Sequence, residues 1–462
     1  MSSGHLEVVN PYHLGVIGEV TTGDWAQADA WLARARQLAD DRKSWLPAHE
    51  RLDILARTQQ LMRGRFDELA HQIADEGGKP LIDARVEVER AIDGVGLCAR
   101  ELQHLGGGEV PMDLTAAGAG RIAFTQREPI GPVVAVSAFN HPLNLIIHQV
   151  APAVAVGCPV IVKPADDTPL SARSFVDLLH EAGLPPEWCE FIACDLPTAQ
   201  SLVTDPRVAF LSFIGSAKVG WMLRSKLAPG TRCALEHGGA APVIVDDSAD
   251  VETMVPLLAK GGLYHAGQVC VSVQRVYAPR TRSRDLAEAL AAVADGLIVG
   301  DAVEETTQIG PLIRPREVDR VEEWLSEAVA GGGEAITGNR RLGDTSFAPT
   351  IILDPPADCR LSTAEIFGPA IAVYSYDDID EAIGRANGLP YAFQAACFTN
   401  RLDVATHCVQ NLDASAVMVN DHTAFRVDWM PFAGRRHSGY GVGGIGHTMH
   451  DMTHEKMAVI RL

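Results

Sequence analysis

The chain predicts an α/β protein built on a mainly parallel sheet. From Pro132 onward, short β-branched runs alternate with helical stretches, and Gly or Pro stands at each joint. Strand, helix, strand in succession implies right-handed crossovers and parallel pairing. At 462 residues the chain is long enough for two or three packed units with a large buried core.

Taken in order, residues 24–105 read as helices. Leu55, Met62, Phe66, Leu69 and Ile73 recur at helical spacing among charges, and Glu76-Gly77-Gly78-Lys79-Pro80 interrupts the pattern. Residues 121–128 have strand-like apolar content. Val133-Val134-Ala135-Val136 is a strand ending at Phe139-Asn140-His141-Pro142, a helix covers 143–156, and Val160-Ile161-Val162 is a second strand ending at Lys163-Pro164. The alternation continues through Phe191-Ile192, residues 209–213 and Pro242-Val243-Ile244-Val245, and residues 456–462 are strand-like again. There is no internal repeat or long linker, so short crossings join the units.

The composition, 47% hydrophobic and 21% charged, is that of a globular protein rather than a disordered one. A formal charge of −20 argues against a nucleic-acid partner, although a basic pocket fits inside an acidic shell. Met1 to Asn10 lacks the pattern of a signal peptide. The most apolar segment, Leu145 to Val162, is broken by His148, Gln149, Pro152, Gly157 and Pro159, so no membrane span is expected. Nine cysteines without Cys-x-x-Cys spacing point to reduced thiols in a cytoplasmic protein.

Two stretches carry the chemistry: Leu235-Glu236-His237-Gly238-Gly239 and Gly267-Gln268-Val269-Cys270. A thiolate attacks a carbonyl and a carboxylate activates the water that later releases the acid, which is acyl chemistry through a thioester. Alone, the pair equally describes an inert core cysteine and a surface glutamate. Asn140 reads as an oxyanion donor or as a turn residue before His141-Pro142. Phe213-Ile214-Gly215-Ser216-Ala217 reads as a pyrophosphate-holding helix start or as a packing turn. Lys163-Pro164-Ala165-Asp166 reads as a ribose clamp at a strand end or as a solvated loop pair.

In this order the chain resembles the aldehyde dehydrogenase superfamily along almost its whole length. The matching motifs are Glu128-Pro129-Ile130-Gly131, Phe139-Asn140-His141-Pro142, Lys163-Pro164-Ala165, Phe213-Ile214-Gly215-Ser216, Glu236-His237-Gly238-Gly239 and Gly267-Gln268-Val269-Cys270. They continue with Glu365-Ile366-Phe367-Gly368-Pro369 and Pro431-Phe432-Ala433-Gly434, followed by Ser438-Gly439. The resemblance implies an α/β fold of two Rossmann-like parallel-sheet domains plus a β-hairpin oligomerisation arm. Residues 1–107 and 130–237 would form the cofactor-binding domain, 238–440 the catalytic domain, and 108–129 with 445–462 the arm, giving a homodimer or homotetramer.

It further implies Cys270 as nucleophile, Glu236 as base for thioester hydrolysis, and an oxyanion hole from the Asn140 amide and the Cys270 backbone N–H. Lys163 and Asp166 would hold the adenine ribose, Ser216 the pyrophosphate, and Glu365 the nicotinamide ribose, with Gly215 and Phe367 also binding the cofactor; no metal is needed. Glu236 favours hydrolysis over acyl transfer to coenzyme A, the alternative activity, and its presence beside Cys270 disfavours a catalytically retired nicotinamide-binding relative. Asp166 favours NAD over NADP by repelling a 2′-phosphate, with NADP use left open by the shortness of Asp and by Lys218. Departures from the usual pattern are His237 for Leu, Ala433 for Gly, and Val442-Gly443 for Arg-Glu.

Motif matching places His141, Leu145, His148 and Arg426 along the aldehyde tunnel, with Phe432 near its inner wall. Imidazoles and a guanidinium suit a short aldehyde bearing an anionic or strongly polar group, such as a semialdehyde. The competing expectation is that Arg426 pairs with Asp421 or Asp428 and never meets substrate.

Overall fold

The computed structural model describes residues 4–462. Two sheets organise it. The first has six strands in the order Gly439–Tyr440, Arg232–Glu236, Phe210–Ile214, Val133–Val136, Val160–Lys163, Cys189–Phe191, all parallel except the first. The second has seven, in the order Glu334–Thr337, Thr350–Leu353, Ala370–Tyr376, Val273–Pro279, Ala241–Val245, Gln394–Phe398, Ala416–Val419, and only its Glu334–Thr337 edge is antiparallel. Both Val273–Pro279 and Ala370–Tyr376 are buried at every position. Helices cover both faces of such a sheet, so its strands are continuous apolar runs rather than alternating ones.

In the first sheet Val133 pairs with Val160 on one side and with Phe210 on the other. The winding therefore reverses at Val133–Val136, and a crevice opens beyond the carboxyl end of that strand, where ligands settle in open α/β sheets. Asn140 lies four residues past that end by subtraction (140 − 136).

The N-terminal helical region resolves into Trp25–Asp40, Ala48–Gly64, Phe66–Gly77 and Leu81–Leu102. Gly78 ends the third of these at φ 66°, where a Cβ would lie 2.8 Å from both Pro11 and Pro311. Only glycine meets both demands cheaply.

Three features were not expected from the sequence. A hairpin of His5–Val9 and Val16–Thr21 precedes the helices, its residues mostly exposed and so without a clear apolar period. The arm is a three-stranded antiparallel sheet: Thr453–Arg461 pairs with Arg121–Pro129 along its full length, and short Glu109–Val110 adds a third strand. Residues 445–451 are not in that sheet; they form the helix Ile445–Asp451, whose Ile445 and Met449 are buried in the core around the first sheet. Among the described residues, no helix is long and apolar enough to cross a membrane.

Candidate active site

Strand Arg232–Glu236 ends on Glu236, and the neighbouring turn holds it there: the Gly215 N–H donates to the Glu236 carbonyl at 3.0 Å. Past His237, the Glu365 carboxylate crowds Gly238 and takes the backbone N–H of Gly239. The Gly239 N–H donates to Glu365 Oε1 at 3.1 Å, and a Cβ on Gly238 would sit 1.7 Å from that oxygen. Gly443 serves the same end, since a Cβ there would lie 2.1 Å from Glu236 Oε1. His237, the departure beside the base, turns away: its Nδ1 bonds the Gly215 carbonyl at 2.8 Å and its ring meets Phe213 edge-on at 5.8 Å.

Cys270 follows a tight turn in which His265 and Ala266 have φ of 49° and 53° and Gly267 a φ of 68°. A Cβ on Gly267 would stand 2.1 Å from the Gly368 carbonyl oxygen. Gln268 pins this turn. Its Oε1 accepts the Ile313 N–H at 2.9 Å, its Nε2 donates to the Pro311 carbonyl at 3.2 Å, and its own carbonyl accepts from Asn140 Nδ2 at 2.9 Å. Asn140 is thereby tied to the segment that carries the thiol. Gly267→Ala is expected to lower both melting temperature and turnover, the left-handed backbone alone costing roughly 1–3 kcal/mol. Thermal unfolding followed beside activity checks this.

One cavity of about 590 Å³ collects Cys270, Glu236, Asn140, Gly215, Ser216, Glu365 and Phe367, with His141, Leu145, Arg426 and Phe432. Lys163 and Asp166 stand outside its lining, although Ala165 between them belongs to it. Lys163 is buried and donates from Nζ to the exposed Asp166 at 2.6 Å. Phe367, at φ 45°, packs edge-on against Phe139 at 5.9 Å.

Burial dominates the electrostatics. It pushes the Cys270 thiol up to about 12, Glu365 adding to the shift and Arg426 opposing it. Burial also raises Glu236, again against the pull of Arg426, and pushes Glu365 up to about 8.

The two imidazoles expected along the tunnel behave differently. His141 lines the cavity, but its Nδ1 is 2.7 Å from Lys79 Nζ and 3.4 Å from Glu87. His148 does not line the cavity, contrary to expectation. Its helix, Asn144–Val156, is buried at every position, and His148 Nε2 is bound to Asp428 at 2.7 Å, which points the ring into protein rather than toward substrate.

Arg426 faces the cavity unpaired. Among the described residues no carboxylate comes within ion-pair distance of it, because Asp428 is held by Arg90 at 2.7 Å and by His148, while Asp421 accepts the His422 backbone N–H at 2.7 Å. The Arg426 guanidinium lies 3.6 Å above the Phe432 ring, and its buried Nε has no partner. Arg90 and Asn144 also line the cavity and were not anticipated. Arg90 is one of several charges along Leu81–Leu102, and nothing local marks it out.

A parallel α/β layer ending in a crevice, with a thiol and carboxylates around one cavity, has the layout of a ligand-binding enzyme site. The chain belongs to the aldehyde dehydrogenase family, whose profile matches residues 1–458, and it is an NAD(P)-dependent aldehyde dehydrogenase. It is 35% identical over 458 residues to a 3-sulfolactaldehyde dehydrogenase of Priestia aryabhattai, covering 99% of this chain and 95% of that one. Aldehyde dehydrogenase 21 of Physcomitrella patens, in complex with its reaction product succinate, superposes with a TM-score of 0.96 at 35% identity, covering 100% and 95% of the two chains. A glyceraldehyde-3-phosphate dehydrogenase of Methanocaldococcus jannaschii complexed with NADP gives 0.94 at 32% identity, covering 99% of each.

Proposed function

We propose that this enzyme oxidises a small aldehyde with an anionic or strongly polar headgroup to its acid, through a thiohemiacetal and then a thioester on Cys270, with water as the final acyl acceptor. The observation that carries the reading is the unpaired guanidinium of Arg426 in the cavity that holds Cys270. Relatives whose names and bound product specify sulfonated or carboxylated compounds support it.

The Cys270 thiolate bonds to the aldehyde carbon. One N–H of the Asn140 amide is committed to Gln268, which leaves its second for the oxyanion, alongside the Cys270 backbone N–H. Gly215 and Ser216 would hold the cofactor pyrophosphate at the start of helix Ala217–Arg224; the Ser216 side chain caps nothing, and the cavity reaches it. Lys163 and Asp166 would hold the adenine ribose, and Glu365 with Phe367 the nicotinamide ribose. The bound nicotinamide supplies a hydride acceptor. Glu236 then takes a proton from water, which attacks the thioester, expels the Cys270 thiolate and frees the acid.

Arg426→Leu is expected to lower kcat/KM for an anionic aldehyde relative to a neutral one of equal length by about 30-fold, from the roughly 2 kcal/mol or more lost with one partner of a desolvated charge pair. An unchanged ratio overturns the anchor. NAD is the preferred cofactor, NADP the lesser one, because the exposed Asp166 carboxylate opposes a 2′-phosphate and already occupies the Lys163 ammonium. Asp166→Ser is expected to raise kcat/KM with NADP by about tenfold, since repulsion between this exposed, water-screened carboxylate and a 2′-phosphate costs about 1–1.5 kcal/mol. A wild-type preference for NADP refutes this assignment.

The enzyme acts in the cytoplasm as a homodimer or homotetramer, without nucleic-acid or membrane partners. The strand Thr453–Arg461 lies at the edge of the arm sheet with Met457, Val459 and Ile460 exposed, and such an edge favours pairing between subunits.

A further inference from the structure

The residues behind Arg426 form a chain of defined polarity. Asp428 accepts from Arg90 through Nη2 at 2.7 Å and Nε at 3.1 Å, from Asn144 Nδ2 at 3.3 Å, and from His148 Nε2 at 2.7 Å. A carboxylate held by two guanidinium bonds is ionised and only accepts, so the His148 proton must sit on Nε2. Nδ1 then carries a lone pair, and it faces Arg426 Nη2 at 3.4 Å. Burial, followed by the nearby Arg426 charge, pushes the imidazole down to about 4, so it is neutral and able to accept. His148 and Asp428 are both buried, at 3% and 5% exposure.

Arg426 has little else to orient it. Its Nε is unpartnered, and stacking on Phe432 fixes the height of the guanidinium plane without fixing its rotation within that plane. A free arginine side chain has up to about 2 kcal/mol of rotamer entropy to lose when it is ordered on a ligand. A neighbour that orders it beforehand lessens that loss.

We propose that His148, with its tautomer set by Asp428, is a positioning residue that aims the Arg426 guanidinium at the anionic headgroup of the aldehyde. The proposal rests on the anionic-substrate reading above. It assigns the buried imidazole a part in specificity without contact to substrate, and it accounts for an acceptor nitrogen facing a cation where a carboxylate would have cancelled the charge.

The test compares 4-oxobutanoate with butanal, which differ by the carboxylate. In His148→Phe the ring volume stays and both nitrogens go. KM for 4-oxobutanoate is expected to rise about five- to tenfold, the worth of one ordinary hydrogen bond, since the contact is long at 3.4 Å, with kcat and the butanal constants near wild type. His148→Asn, which keeps an acceptor close to Nδ1, is expected to recover most of the loss. In an Arg426→Leu background, His148→Phe is expected to change nothing further for 4-oxobutanoate.

Equal losses on both aldehydes, or no change, overturn the proposal, as does an undiminished effect without Arg426. Should the Phe variant not fold, the comparison passes to His148→Asn against His148→Gln, with the rise expected only in Gln; the reverse order, or no difference, refutes the relay. Failure of Arg426→Leu alone to discriminate the two aldehydes defeats the anionic-substrate reading. Discrimination by Arg426→Leu without any His148 effect defeats only the positioning role.

Discussion

Cys270→Ala should abolish NADH formation, in the first turnover as well as the steady state, by about 10⁴–10⁶-fold, the loss typical of removing a covalent nucleophile. The reason is positional. Gln268, bonded through its carbonyl to the Asn140 amide, and the left-handed turn at His265, Ala266 and Gly267 place residue 270 in the cavity that Asn140 also lines, and no other thiol lines it. Because burial pushes this thiol up to about 12, the thiolate is a small fraction at neutrality. A nucleophile must lose its proton, so the first-turnover rate should climb with pH throughout the accessible alkaline range. Rapid-mixing measurements of NADH absorbance on wild type and variant read both effects. Retention of first-turnover activity by Cys270→Ala would remove the basis for thioester chemistry.

Glu236→Gln should release about one NADH per site quickly and then stall, its steady-state rate down about 10²–10⁴-fold for want of a general base. Gln has nearly the same shape, so the close approach of Gly443 is preserved while the basic oxygen is lost. Mass spectrometry of the stalled protein should show an acyl group on Cys270. The pH dependence has a definite sign. A base works deprotonated, and burial raises Glu236, so wild-type deacylation should rise with pH through a limb displaced upward from the ordinary carboxylate range; the variant should lack that limb. Arg426 pulls Glu236 down, so Arg426→Leu should shift the limb further toward alkaline pH. Unchanged steady-state turnover in Glu236→Gln would transfer the role of base elsewhere.

Much of the molecule could be read from local sequence because its signals are local. Val133–Val136 and Val160–Lys163 are buried on both faces and therefore read as continuous apolar runs, and Gly78 marks a helix end through its own backbone. The hairpin at His5–Val9 and the short strand Glu109–Val110 are mostly exposed and leave no such pattern. His148 shows the limit of motif matching: its place on the helix was foreseen, but the direction of its ring depends on Asp428, which arrives from a segment 280 residues away.

Periodicity was enough to define an α/β chain on a parallel sheet, and the ordered motifs that resemble the aldehyde dehydrogenase superfamily nominated Cys270, Glu236 and Asn140, since helix and strand periods, glycine turns and short motifs are written in neighbouring positions. Only the folded chain decided that Arg426 lacks a carboxylate partner, that Arg90 joins the cavity, and that His148 stands behind the guanidinium rather than beside the aldehyde. Those outcomes turn on which of several charges meet across the core. That competition is settled by distance and burial in three dimensions, and no short stretch of sequence contains both sides of it.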